Sequence, residues 1–141
     1  MLMTGSSQID AERAFSRLAR ARRRASVVSR LRRRSACIRL RVYEPATAAP
    51  AAAGIHEIPI DAINGTLEPS RAAQFDSSFR PSPVARARWQ RVWLAEHRGA
   101  VLPPISVTPV GDGFAVRDGH HRVSVARARG ALTIDAVIDT L

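Results

Sequence analysis

The chain has 141 residues, 45% of them hydrophobic and 5% aromatic, which suits one domain with an aliphatic core and excludes a multidomain enzyme. No run approaches the roughly 18 consecutive apolar residues of a membrane span, and a single cysteine, Cys37, excludes an internal disulfide and a four-cysteine zinc site. The net charge of +10 is uneven: residues 1–45 carry 12 Arg against Asp10, Glu12 and Glu44, or +9, whereas residues 46–141 carry only +1. The basicity therefore belongs to the N-terminal segment. All 22 basic residues are Arg, alongside abundant Ala, so a GC-rich coding sequence explains part of the excess. The N-terminus lacks the apolar h-region of a secretory signal, and a cytoplasmic location is expected.

From Ser7 to about Arg34 the apolar residues Phe15, Leu18, Ala21, Ala25, Val28 and Leu31 recur at helical spacing, predicting an amphipathic basic helix. Ser7 and Asp10 resemble a capping pair, and the clusters Arg22, Arg23, Arg24 and Arg32, Arg33, Arg34 crowd the later turns, where cations suit the helix dipole. Ile38, Leu40 and Val42 alternate with arginines as in a short strand, and PATAAPAAAG over 45–54 reads as an Ala/Pro linker. The predicted division is a basic arm over 1–44, a linker over 45–54 and a folded domain over 55–141.

Within that domain, Ile55 to Ile63 reads as a strand ended by an Asn64-Gly65 turn, and Pro69 to Phe79 as a short helix. Ser82 before Pro83, with Gly99 at the far end, predicts a capped helix over 83–98 whose inner face is Val84, Trp89, Val92 and Trp93. Ile105 to Val110, the turn at 111–113 and Phe114 to Val116 make a hairpin. A helix over 120–129, stopped by Gly130, and a strand over 134–138 complete the order strand, helix, helix, hairpin, helix, strand.

Chemistry concentrates in Asp118, Gly119, His120, His121 and Arg122, where a strand turns through glycine into a helix. The first N–H groups of a helix have no intrahelical partner and carry partial positive charge, and a glycine lets a phosphate approach the backbone. Arg122 adds a planar two-donor fork, and the histidines add further donors. An Asp cap on an ordinary turn accounts for the same residues without a ligand. His120 and His121 diverge by about 100° on a helix, which disfavours zinc. Magnesium carried in by a nucleotide needs only one or two carboxylates, for which Asp118 is the candidate.

In context, the segment from Glu57 to Val137 resembles the ParB N-terminal domain, whose fold is shared with sulfiredoxin and free-serine kinases. The matching elements are IPIDAI at 58–63, EPSR at 68–71, LPPISV at 102–107 and GFAVRDGHHRVSVARARGALTIDAVI at 113–138. The resemblance implies an α+β fold with a small mixed sheet and packed helices, preceded here by the basic helix. It also implies a nucleotide-phosphate site at 118–122, with Arg122 on a phosphate and Gly119 at the close approach. Sulfiredoxins carry a reactive cysteine where this chain has His120, so sulfinic acid reduction is not expected. Partition proteins carry a Gly-Glu-Arg-Arg box at this point, and at 141 residues a full partition protein is not expected. The serine kinases come nearest at DGHHR, with Glu68 standing for their catalytic carboxylate.

Two tryptophans four apart, Trp89 and Trp93, are expected in the core, and Arg86, Arg88 and Arg91 on the exposed face of their helix, bordering a phosphate groove or simply solvated. Ser106 and Ser124 have no positioned base nearby in sequence and are assigned no nucleophilic role. The expected function is a nucleotide-phosphate-binding ParB-like module, DNA-associated and partition-like or regulatory, taking a nucleoside di- or triphosphate with Mg²⁺. The clusters at 22–24 and 32–34 would supply sequence-independent affinity for the DNA backbone of the nucleoid. A small ATP- or ADP-dependent phosphotransferase using Asp118 or Glu68 as base, and a protein-interaction module, are the alternatives.

Overall fold

Six short strands pair into one mixed sheet, seen in a computed structural model that describes residues 4–31, 39–44 and 54–138. In chain order the elements are α1 (Thr4–Leu31), β1 (Arg41–Val42), β2 (Ile55–Pro59), β3 (Ile63–Thr66), α2 (Pro69–Ala72), α3 (Arg86–His97), β4 (Ile105–Val110), β5 (Gly113–Asp118), α4 (His120–Ala128) and β6 (Thr133–Ile138). The strands lie in the order β1-β3-β5-β4-β6-β2. The β4–β5 hairpin is antiparallel at the centre, β3 runs parallel to β5, and β6 runs parallel to β4. The fold is α+β with helices packed on the sheet, as expected.

Several local readings give way to tertiary contacts. Asn64 and Gly65 lie inside β3 rather than in a turn, because a side chain on Gly65 would collide with the Arg41 carbonyl and the Tyr43 ring of the β1 segment. Glycine there lets β1 close onto β3. The helix expected over 69–79 stops at Ala72. Instead the buried Asp76 carboxylate accepts the N–H groups of Ser78 and Arg80, each at 2.9 Å, and the chain reverses with Phe79 at φ +59°. Ser82 does not cap through its hydroxyl: its carbonyl accepts the Ala85 N–H, a 3-10 turn covers Pro83–Ala85, and Val84 is 83% exposed rather than on the inner face.

Two apolar clusters hold these elements. One centres on Phe75, Phe79, Ile105, Val107, Val116 and Val123 between the sheet and α4. The other joins Ala11, Phe15 and Ala19 of α1 to Trp89 and Trp93 of α3 and Val125 of α4. The basic helix is thus docked, where a tethered arm was expected. The face that meets the domain is Ala11, Phe15 and Ala19 with Leu18 packed beside them, so the predicted stripe faces inward at Phe15 and Leu18 but not at Val28 and Leu31, which are 45% and 79% exposed. Alanines one turn either side of Phe15 let its ring reach Trp89 edge-on at 5.7 Å, and the Arg86 guanidinium covers its other side at 4.7 Å. Ser7 and Asp10 lie inside α1, so they do not begin it. The 45–53 part of the linker, Arg32, Arg33, Arg34 and Cys37 lie outside the described residues.

Since Phe15 is fully buried against Trp89, Phe15→Ala should lower stability by about 3–5 kcal/mol. Urea unfolding followed by tryptophan emission measures this. A loss below about 1 kcal/mol would mean that α1 is not docked through this ring.

Candidate phosphate-binding site

β5 ends at Asp118 and α4 begins at His120, so the whole reversal falls on Gly119, whose φ of +109° a side-chain-bearing residue rarely adopts. A Cβ on Gly119 would also lie 2.5 Å from the Ile105 side chain. Glycine is therefore required by β4 packing as well as by the turn, and it leaves the first-turn N–H groups of α4 directed outward at the end of the sheet.

A cleft of about 50 Å³ lies at this helix start, lined by Arg71, Arg88, Val92, Asp118, Gly119, His120, His121 and Arg122. Arg71 comes from α2, Arg88 from α3 and Arg122 from α4. Three arginines against one carboxylate leave the lining at a formal +2. At about 10–15 Å³ per enclosed water, the volume suits a few waters or one phosphoryl group, not a whole nucleotide.

Arg122 is the most constrained of the three. One guanidinium nitrogen donates to the carbonyls of Pro103 and Pro104, and the other reaches Asp118 at 3.2 Å. Much of the expected fork is thus spent fixing the strand entry at 102–105. Arg71 donates to Gln74 at 3.2 Å while facing the cleft, and Arg88 is exposed at its edge.

Both histidines are buried and flank Phe75, His120 stacked on it at 6.3 Å and His121 edge-on at 5.2 Å. The His120 Nε2 shares a 2.6 Å hydrogen bond with the Thr66 hydroxyl, which also accepts the Glu68 N–H at 2.8 Å. Burial, with Arg71 and then His121 adding repulsion, lowers the His120 pKa to about 4. Burial, then Arg88, Arg71 and Arg91, lowers that of His121 to about 4. Both imidazoles are neutral at pH 7, and the positive field of the cleft comes from arginines and the helix start.

Other sequence candidates fall elsewhere. The Glu68 backbone lies one hydroxyl away from His120, but its exposed carboxyl does not line the cleft, where Asp118 is the one carboxylate. Arg22, Arg23 and Arg24 lie on α1, away from this cleft. Arg71 was missed as a site residue, since only its place in EPSR drew notice and α2 alone gives no sign of what it faces. On the far side of Arg122 a larger cleft of about 480 Å³ is lined by Glu57, Glu96 and Asp135 as well as Arg129. Three carboxylates against Arg122 and Arg129 leave that lining at a formal −1, whereas the lining on the Arg71 and Arg88 side carries +2. Among the described residues no three His, Cys, Asp or Glu side chains converge on a metal position, and no helix is long and apolar enough to cross a membrane.

No family model and no curated protein matches the chain. Among solved structures, the sulfiredoxin from Arabidopsis thaliana is similar over 62% of this chain and 86% of that one, with 19% identity and a TM-score of 0.40.

Two outcomes follow from this geometry. Gly119→Ala should destabilise the fold by at least about 2 kcal/mol, through backbone strain and the clash with Ile105, as read by urea unfolding. Near pH 6.5 the histidines of the unfolded chain protonate while the folded ones stay neutral, so the unfolded state binds more protons between pH 6.5 and 4. Their contribution to stability is present above pH 6.5 and lost as pH falls towards 4. The His120→Asn/His121→Asn double variant should show a shallower fall of urea midpoint over that window, and an unchanged slope would contradict the neutral assignment.

Proposed function

We propose that the chain is a nucleotide-phosphate-binding module of the ParB-like kind, in which the start of α4 and the guanidinium groups of Arg71 and Arg88 hold a terminal phosphate. The observation that supports this best is the convergence of arginines from three helices on one helix N-terminus, in a cleft the size of a phosphoryl group. Arg122 sets the cleft wall through Pro103 and Pro104 and keeps Asp118 beside it. Asp118 remains 75% exposed, and its second oxygen can meet a Mg²⁺ ion that arrives with the nucleotide and keeps most of its waters. We favour binding over phosphoryl transfer, since Asp118 is paired with Arg122 and the Glu68 carboxyl stands outside the cleft.

DNA association belongs to the same proposal, in altered form. With Phe15 turned inward, Arg13, Arg17, Arg20 and Arg24 are exposed at intervals of four, three and four, a stripe along the outer face of α1. A docked helix presents these charges without the ordering cost of a free arm, and four backbone contacts predict a log-log salt slope of roughly −3.6. Replacing all four by Gln should abolish duplex binding, measured by fluorescence anisotropy on two unrelated duplexes; binding that persists would move the surface elsewhere.

The nucleotide arm is tested by calorimetric titration with ADP, ATP and CTP, with and without Mg²⁺. Arg88→Ala should weaken binding by roughly 1.5–3 kcal/mol, tenfold or more, while leaving the unfolding midpoint unchanged. Bound phosphate should also raise the His121 pKa from about 4, because an anion stabilises the imidazolium, and an NMR titration of its ring reads this directly. Equal affinities for parent and variant, with no shift at His121, would refute the assignment.

A further inference from the structure

A second cleft, of about 270 Å³, lies between the C-terminal half of α1 and the turn at 76–80 and shares no lining residue with the cleft at the start of α4. Arg22, Arg23 and Ser26 line it from the helix, and Ser78 and Arg80 from the turn, with Asp76 behind them. The Arg22 Nε is buried without a hydrogen-bond partner among the described residues. A buried, unpaired charged donor is costly, and an anion accepting from it removes the cost.

The turn is built to keep its shape. Asp76 is 4% exposed, and its oxygens accept the Ser78 and Arg80 N–H groups at 2.9 Å and the Arg80 guanidinium at 3.3 Å. Phe79 holds φ +59°, a conformation an aromatic residue adopts only where packing imposes it, and its ring is fully buried. The one carboxylate in the lining is thereby occupied within its own turn. Three arginines against it leave a formal +2 facing the cleft.

We infer that this cleft binds a small phosphate monoester. A charge of +2 matches the dianion, and arginine forks with nearby serine hydroxyls match the acceptor oxygens of a phosphate. The volume falls below the roughly 300–1,000 Å³ of sites for drug-sized ligands, which selects a compact phosphorylated molecule over a nucleotide. Docking of α1 completes the site, since Arg22, Arg23 and Ser26 reach the turn only with the helix against the domain.

The test is calorimetric titration of the full chain with glycerol 3-phosphate at constant ionic strength. Saturable binding is expected, weakened at least about tenfold by Arg22→Gln/Arg23→Gln and by Ser26→Glu, which puts a carboxylate into the cleft. Arg30→Gln, an exposed position on the same helix outside the lining, should leave the dissociation constant unchanged. Thermal unfolding midpoints of the cleft variants, matched to the parent, separate lost binding from lost folding. Dimethyl phosphate, a monoanionic diester, should bind at least about tenfold more weakly. The inference is overturned if the parent shows no saturable binding, if the cleft variants bind as the parent does, or if Arg30→Gln weakens binding equally. Equal binding of the diester, or displacement of glycerol 3-phosphate by a duplex, would instead assign the cleft to a nucleic-acid backbone.

Discussion

The Ser124 hydroxyl, buried in α4, joins three parts of the molecule that carry its charged clefts. It accepts the Trp89 indole N–H at 2.8 Å and donates to the Phe79 carbonyl at 2.5 Å. Trp89 follows Arg88 on α3, Ser124 lies one turn beyond His120 on α4, and Phe79 is the strained residue of the turn at 76–80. One relay of neutral hydrogen bonds thus sets where Arg88 stands relative to the start of α4, and where Arg80 stands relative to α1. In a dry interior such a relay is stringent, because losing any member leaves a polar group buried and unpaired at a cost of about 1–3 kcal/mol. Phe15 seals it by packing on the Trp89 ring.

Charge in this protein is organised by compartment. On α1, Arg13, Arg17, Arg20 and Arg24 form an outer stripe and Arg22 and Arg23 line a cleft, while Arg71 of α2, Arg88 of α3 and Arg122 of α4 converge on the start of α4. Acidic residues collect beyond Arg122, in the cleft holding Glu57, Glu96 and Asp135, where burial raises the Glu96 pKa despite Arg129 nearby. Arg122 forms the boundary: tied to two proline carbonyls and Asp118, it separates an arginine-rich lining from a carboxylate-rich one. The imidazoles of His120 and His121 contribute shape and hydrogen bonding, since burial keeps both uncharged at neutral pH.

How much of this was legible in the sequence varies with the range of the interaction responsible. Periodicity and turn chemistry act within a few residues, so α3, the β4–β5 hairpin, α4 and β6 were readable from apolar spacing and from glycines at 99, 119 and 130. The strand-glycine-helix junction at 118–122 was readable for the same reason, because the unpaired N–H groups of a helix start belong to any helix. By contrast, Asn64-Gly65 looks like a turn locally and becomes a strand only because β1 needs the space above Gly65.

The sequence by itself determined the α+β class, the order of elements from α3 to β6, the position of the glycine-initiated helix and the concentration of arginine before residue 45. Only the tertiary structure decided which faces those elements present. Packing Phe15 on Trp89 turned α1 from a tethered arm into a docked helix and chose Ala11 and Ala19, not Val28 and Leu31, as its inner face. Folding also brought Arg71 and Arg88, 17 positions apart, to the same helix start, and Arg22 to a turn beginning at Asp76. The reason is physical: helical and strand periods encode that a face is apolar, whereas its partner is set by side-chain shapes meeting across the core, which no local window contains.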